Sequence, residues 1–195
     1  STMHLSELDQ LDFASWKNPW AELDDDAVDE APEHKKVLTL KRLLEAVADC
    51  DRRVELAIET KHPTRYGGLV ERRLADMLRH FGWHKAKSPV RVMSFSYTAL
   101  QRMQKLTPHL RLVMLMEHRR NWQVLQPVIG KDWILGPGVD LLEESPRTAA
   151  SMAASGHDIH VWTVNTEAQL ATCEKYGVKA VITDRPAYML GLLDR

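Results

Sequence analysis

Cysteine is scarce in this sequence. Cys50 and Cys173 are the 2 cysteines in 195 residues, too few and too far apart for a disulfide framework or a Cys-based metal site. Excess charge is missing too: 26 Lys+Arg stand against 27 Asp+Glu, so the net charge of -1 offers no basic footprint for nucleic acid. No apolar run approaches the ~18 residues of a membrane span, and no signal-peptide apolar region opens the chain. The Gly-x-Gly-x-x-Gly fingerprint of dinucleotide-binding sheets is absent. Gly136-Pro137-Gly138 comes nearest, and its proline and missing third glycine make it read as a turn. What remains is the expectation of a cytoplasmic globular protein of one domain, with 44% hydrophobic residues for its core. The chain opens Ser1-Thr2-Met3, which is not where a ribosome would start.

The first forty residues differ from the rest. Leu5 to Leu11 reads as a short helix with Ser6 as its cap, and residues 12–37 as a polar loop with Pro19 and Pro32. Within it, Asp24-Asp25-Asp26 reads as a solvated acidic stretch in preference to a metal site, because three adjacent aspartates on an extended backbone cannot all turn toward one ion. From Leu38 a rhythm begins. Leu40, Leu43, Leu44 and Val47 recur at helical spacing behind Thr39, a cap residue. Strands are expected at 54–59, 90–95, 112–116, 133–135, 159–164 and 180–183. Helices are expected between and after them at 69–81, 97–106, 122–129, 148–154, 167–176 and 186–193, the last with Pro186 in its first turn.

Short strands alternating with helices imply parallel βα units with right-handed crossovers. An open doubly wound sheet and a closed (β/α)8 barrel both use that pattern. A barrel needs eight strands and usually ~250 residues, and the six units counted here fall two short.

Strand 54–59 carries the chemistry. Val54, Leu56 and Ile58 form one apolar face, and Glu55, Ala57 and Glu59 form the other, with Lys61 continuing its parity. In a barrel the second face points inward, so Glu59 and Lys61 sit at the C-terminal rim where barrel active sites are built. The pair can bind a cation and an anion side by side, or form an ion pair capping the barrel mouth. The loop His62 to Gly68 precedes a helix whose N-terminus can attract phosphate, with Arg65 as a second cation. Equally, Gly67-Gly68 can simply supply positive φ. Trp162 reads as an apolar wall for a substrate or as core. Asp184 reads as structural ahead of Pro186, and His160 as a buried core histidine in preference to a catalytic one.

Together these segments resemble the glycerophosphodiester phosphodiesterase family of (β/α)8 barrels, its actinobacterial members especially. The likeness lies in Ser6-Glu7-Leu8 with Leu11-Asp12, Leu38-Thr39-Leu40 with Leu43-Leu44, Ile58-Glu59-Thr60-Lys61, Met93-Ser94-Phe95 and Val161-Trp162-Thr163-Val164-Asn165. Gly177-Val178 and Ile182-Thr183-Asp184-Arg185-Pro186 complete it, and His62-Pro63 with Arg65-Tyr66-Gly67 looks actinobacterial. The resemblance implies hydrolysis of a small-molecule glycerophosphodiester to glycerol 3-phosphate and an alcohol, in lipid metabolism. It implies a divalent cation, Ca2+ or Mg2+, on Glu59, and makes Lys61 the catalytic residue beside the phosphate. Phe95 and Trp162 match positions lining the substrate.

The departure from the family falls on its catalytic centre. The family's His-Arg-Gly strand end, Glu-x-Asp strand and His-Asp turn do not occur in their contexts in residues 1–195. The six expected strands therefore correspond to the family's third to eighth, and residues 1–195 to the C-terminal three-quarters of one barrel domain. Two other readings stand beside the enzyme: a non-catalytic barrel remnant that binds or assembles, and a phosphodiesterase for lysophospholipids or sphingomyelin. Open barrel edges favour self-association.

Overall fold

The computed structural model describes residues 3–13, 36–62 and 66–193, and the acidic stretch Asp24-Asp25-Asp26 and Arg65 lie outside them. The chain divides into two compact units, residues 52–184 on one hand and residues 1–51 with 185–195 on the other. In the smaller unit, α1 (Leu5–Leu8) starts from His4, not Ser6, because Glu7 reaches back to the His4 amide. α2 (Leu40–Ala48) is capped as expected by Thr39, whose hydroxyl accepts the Arg42 amide at 3.3 Å. The closing helix (Pro186–Leu193) buries Met189, and the Arg185 guanidinium lies 3.9 Å from the Tyr188 ring centre.

The larger unit alternates strand and helix. β1 (Leu56–Glu59), α3 (Leu69–His80), β2 (Val90–Ser94), α4 (Tyr97–Leu106), β3 (Arg111–Met116), α5 (Arg119–Leu125) and β4 (Ile134–Pro137) come first. α6 (Val139–Glu144), α7 (Pro146–Ala153), β5 (His160–Val161), α8 (Glu167–Lys175) and β6 (Ala180–Val181) follow, which makes the closing helix α9. Every strand pair is parallel. β1 to β4 lie side by side in chain order, β5 pairs with β6, and bridges at Leu135–Ile159 and Gly138–Trp162 join the two groups. A doubly wound sheet reverses direction at a switch point, whereas here each strand adds at the same edge. Right-handed crossovers then put the connecting helices of this unit on one face and leave the other as a barrel interior. The fold is thus the (β/α)8 class, with six strands in an open arc among the described residues.

Alternation along the strands sorts the two faces. Val92, Leu112, Met114, Met116 and Leu135 are buried on the parity that meets the helices, with Leu78 of α3 and Leu100 and Met103 of α4. Val113, Leu115 and Ile134 form the inner core, with Met93 and Trp162 packed on it. At the N-terminal end of the arc Glu55 bonds three arginines: Arg53 at 2.9 Å, Arg111 at 3.1 Å, and Arg91. Burial opposes the ionisation of Glu55, but the Arg111 hydrogen bond and the Arg111, Arg91 and Arg53 charges outweigh it and hold its pKa low.

Several boundaries move from expectation. Gly136 and Pro137 are the last residues of β4, not a turn, and α6 follows them directly without having been expected. A proline is tolerated there because Pro137 needs only its carbonyl, which accepts the Trp162 amide at 3.2 Å. α5 starts earlier than expected because Asn121 accepts the His118 amide at 2.9 Å, and α7 starts at Pro146, a favoured first-turn residue. β1, β5 and β6 are shorter than the apolar runs that suggested them.

Candidate functional site

The C-terminal ends of β1, β2, β3 and β5 carry the candidate site. β1 ends at Glu59, and the carboxylate lies 3.2 Å from the Lys61 ammonium, with side-chain exposures of 25% and 83%. The ion-pair alternative is therefore present in the structure, and it leaves most of the ammonium open. Thr60, between them, is buried and tied to β2: its amide donates to the Met93 carbonyl at 2.8 Å, and Ser94 donates to the Thr60 carbonyl at 2.8 Å. Ser94 also accepts the Ser96 amide at 3.1 Å. The Ser-Phe strand end thus has a physical job, which is to lock the β1 and β2 termini and turn Phe95 onto the rim.

Phe95 and Trp162 meet edge to face, with ring centres 5.4 Å apart and planes at 86°. Trp162 donates its indole N–H to the Gly136 carbonyl at 2.7 Å, and the Trp162–Thr163 peptide is cis. A Cβ on Gly136 would lie 2.8 Å from Leu115 and 2.9 Å from Val113, so the missing side chain lets the inner core close under the indole. Trp162 packs on the inner core, as one of the two readings of the sequence had it, and meets Phe95 at the rim. Phe95 stays 45% exposed.

Two cavities flank this pair. One of about 380 Å³ is lined by His62, Gly67, Gly68, Phe95, Ser96 and Arg102, among others. The other, of about 190 Å³, is lined by Glu117, Asp140, Trp162, Thr163 and Gln169, among others. Gly67 and Gly68 have φ of 33° and 79°, the conformation that favours glycine. Gly68 caps α3 without a side-chain hydrogen bond.

Two other expectations concern structure. Asp184 accepts the Asn165 side-chain N–H at 2.9 Å, while the Asp184 amide and the Thr183 hydroxyl donate to the Asn165 carbonyl oxygen at 2.9 and 3.0 Å. This network ties the segment after β5 to the segment after β6 and makes Asp184 structural. His160 is buried, and Arg91, Arg111 and Glu55 of the base act on it. It lies at the end of the arc away from the rim.

Sequence reasoning missed Glu71, Arg102 and Glu117. Glu71 is fully buried on α3 and contacts Arg102 of α4 at 2.9 Å and His62 at 3.2 Å. The signal was available: Glu71 shares helical spacing with buried Leu74, Ala75 and Leu78.

Comparison with known proteins supplies the relatives. The sequence model described as the glycerophosphoryl diester phosphodiesterase family matches residues 1–188. A Mycobacterium tuberculosis protein named "Probable glycerophosphodiester phosphodiesterase 1" is 32% identical over 190 residues, covering 95% of this chain and 67% of that one. The Bacillus subtilis glycerophosphodiester phosphodiesterase is 27% identical, with 93% of this chain and 61% of that one covered. Among solved structures, an Oleispira antarctica phosphodiesterase in complex with the product sn-glycerol-3-phosphate superposes with a TM-score of 0.71. It is 22% identical, with 98% of this chain and 71% of that chain covered. A Parabacteroides distasonis glycerophosphodiester phosphodiesterase superposes at 0.69 and 17% identity, over the same shares. The chain therefore spans about two thirds of the length of the proteins it matches.

Proposed function

The chain belongs to the glycerophosphoryl diester phosphodiesterase family, and from that premise we propose that it serves the hydrolysis of glycerophosphodiesters to glycerol 3-phosphate and an alcohol in lipid metabolism. Hydrolysis places the hydroxyl of water on phosphorus, breaks one ester P–O bond and leaves the proton on the departing alcohol oxygen. The observation that carries this reading is the Glu59–Lys61 pair at the strand end, with the Phe95–Trp162 wall on the same rim. Lys61, 83% exposed, offers its open side to a non-bridging phosphate oxygen, where charge builds up in the transition state. The Phe95–Trp162 wall excludes water from one side and packs against the carbon skeleton of the substrate.

Glu59 is the proposed ligand for Ca2+ or Mg2+. These ions take about six or more oxygens, and an ammonium is a poor neighbour for one. Glu59 gives one carboxylate and is paired with Lys61. No group of three His, Cys, Asp or Glu that could hold a metal occurs among the described residues. The donor set of these residues does not fit such an ion by itself, and the chain alone is expected to bind it weakly. That same observation favours a second reading, in which this chain binds phosphodiesters without turning them over.

No helix among the described residues is long and apolar enough to cross a membrane. Cytoplasmic residence and self-association through the β1 and β6 edges are proposed with the activity. The test is hydrolysis of glycerophosphocholine by the purified chain with Ca2+ or Mg2+, alongside binding of glycerol 3-phosphate. Negligible turnover is expected, with weak binding that Lys61→Ala abolishes. Robust turnover would show that the family's histidine motifs are dispensable, and binding indifferent to Lys61 would remove the phosphodiester reading.

A further inference from the structure

The helix α3 buries a carboxylate that neither the fold nor the rim pair accounts for. Glu71 stands at the third position of α3, where a glutamate ordinarily reaches back to the cap residue. Here the cap is Gly68, which makes no side-chain hydrogen bond, and Glu71 is 0% exposed. One of its oxygens meets two side chains. Arg102 of α4 donates at 2.9 Å, and the His62 ring nitrogen lies 3.2 Å away without hydrogen-bond geometry. The second oxygen has no hydrogen-bond partner. A buried charge of this kind is costly unless paired, so its two contacts constrain the groups that make them.

His62 is the residue after Lys61, and this gives Glu71 its consequence. Lys61 touches Glu59 and is otherwise exposed, so its place on the rim depends on its neighbours in the chain. On one side Thr60 is fastened to β2 through Met93 and Ser94. On the other, the His62 ring lies 3.2 Å from Glu71 of α3. Gly68 belongs to the same arrangement: a Cβ there would lie 3.2 Å from Arg102 and 3.3 Å from Arg72, so its bare backbone gives Arg102 the room to reach Glu71. His62 and Arg102 then stand in the wall of the 380 Å³ cavity beside Phe95.

We propose that Glu71 is a positioning residue of the rim: through His62 it holds the end of β1 so that Lys61 faces the phosphate. The inference rests on the reading of Lys61 as the phosphate contact. It is tested by ¹⁵N relaxation of the whole chain, with glycerol 3-phosphate as the probe. In the wild type the Lys61 and His62 amides should show order parameters of about 0.85, the range of a rigid backbone. Glu71→Gln and His62→Ala should lower both to below about 0.6, with the Val113 and Leu115 amides unchanged. Either variant should weaken glycerol 3-phosphate binding by about fivefold or more, of the order of 1 kcal/mol. Arg102→Met, which spares the His62 contact, should leave Lys61 ordered, and His62→Lys should keep order by placing an ammonium against Glu71.

Unchanged order at Lys61 in both Glu71→Gln and His62→Ala overturns the proposal. So does an Arg102→Met variant that loosens Lys61 as much as Glu71→Gln does, because the carboxylate would then act by joining α3 to α4. If glycerol 3-phosphate gives no Lys61-dependent response in the wild type, the phosphate reading falls, while the order parameters still decide whether Glu71 holds the strand end. Should Glu71→Gln fail to fold, His62→Ala carries the test at a site outside any helix or strand.

Discussion

Lowering the pH from 7 to 5 is expected to cost the folded chain about 2 kcal/mol through one side chain, His160. The imidazole is 7% exposed. Its pKa is pushed down from 6.5 to about 4, first by burial and then by the Arg91 charge; Arg111 acts in the same direction, and Asp158 and Glu55 oppose. In the unfolded chain the ring titrates near 6.5. Between those two values the unfolded chain takes up a proton that the folded chain refuses, so acid favours unfolding. The contribution is fully present above about pH 6.5 and is lost progressively as pH falls toward about 4. Each pH unit in that window is worth about 1.4 kcal/mol, so the whole is about 3 kcal/mol, most of it spent by pH 5. Urea unfolding of the wild type and His160→Gln at pH 7, 6 and 5 isolates this part, because the carboxylates and other histidines are common to both. The wild type should lose about 2 kcal/mol more than the variant. Parallel losses would refute the argument, since they would mean that His160 is as easily protonated in the folded chain as in the unfolded one.

Gly68→Ala should destabilise by about 1–2 kcal/mol in the same assay, because φ is 79° and the new Cβ meets Arg102 and Arg72; no change would mean that backbone and side chains relax freely there. A thiol reagent at mildly alkaline pH should label Cys50 alone. Cys50 is exposed, whereas Cys173 is buried and its pKa is raised to about 11, chiefly by burial and then by Glu143 and Glu174. Two fast thiols in the native chain would contradict that burial. Trp162→Phe removes the N–H donated to Gly136 and keeps an aromatic ring near Phe95. It should cost about 1 kcal/mol, against about 3–5 kcal/mol for Trp162→Ala, and equal losses would show that the ring beside Phe95 carries no separate weight.

How far the sequence reaches can be seen element by element. α4 is legible at both ends because its evidence is local: Ser96 accepts the Ala99 amide at 3.3 Å, and the apolar spacing runs to Leu106. α6 was hidden because Gly136-Pro137-Gly138 has the chemistry of a turn, and only pairing with β3 and with Trp162 makes those residues extended. Glu59 and Lys61 could be set on one rim from strand parity alone, since alternation is a property of the chain itself. Their contact with one another was one of two open alternatives. Glu71 had the right spacing to be buried, yet a charged residue on an apolar face is ordinarily assigned to solvent unless its partner is known.

By itself the sequence determined the alternation of strands and helices, the Thr39 cap of α2, the balanced charge and the motifs that carry the family likeness. These depend on residues within a turn or two of each other. Only the tertiary structure decided that the strands add in chain order into an arc, that Phe95 meets Trp162, and that Glu71 gathers His62 and Arg102. The partners Glu71 and Arg102 lie 31 residues apart and Glu55 and Arg111 lie 56 apart. No local preference chooses between such distant groups. Strand order does, by setting α3 beside α4, and register fixes which strand side chains reach the same end of the sheet, where a shift of one residue would turn Arg111 to the other face.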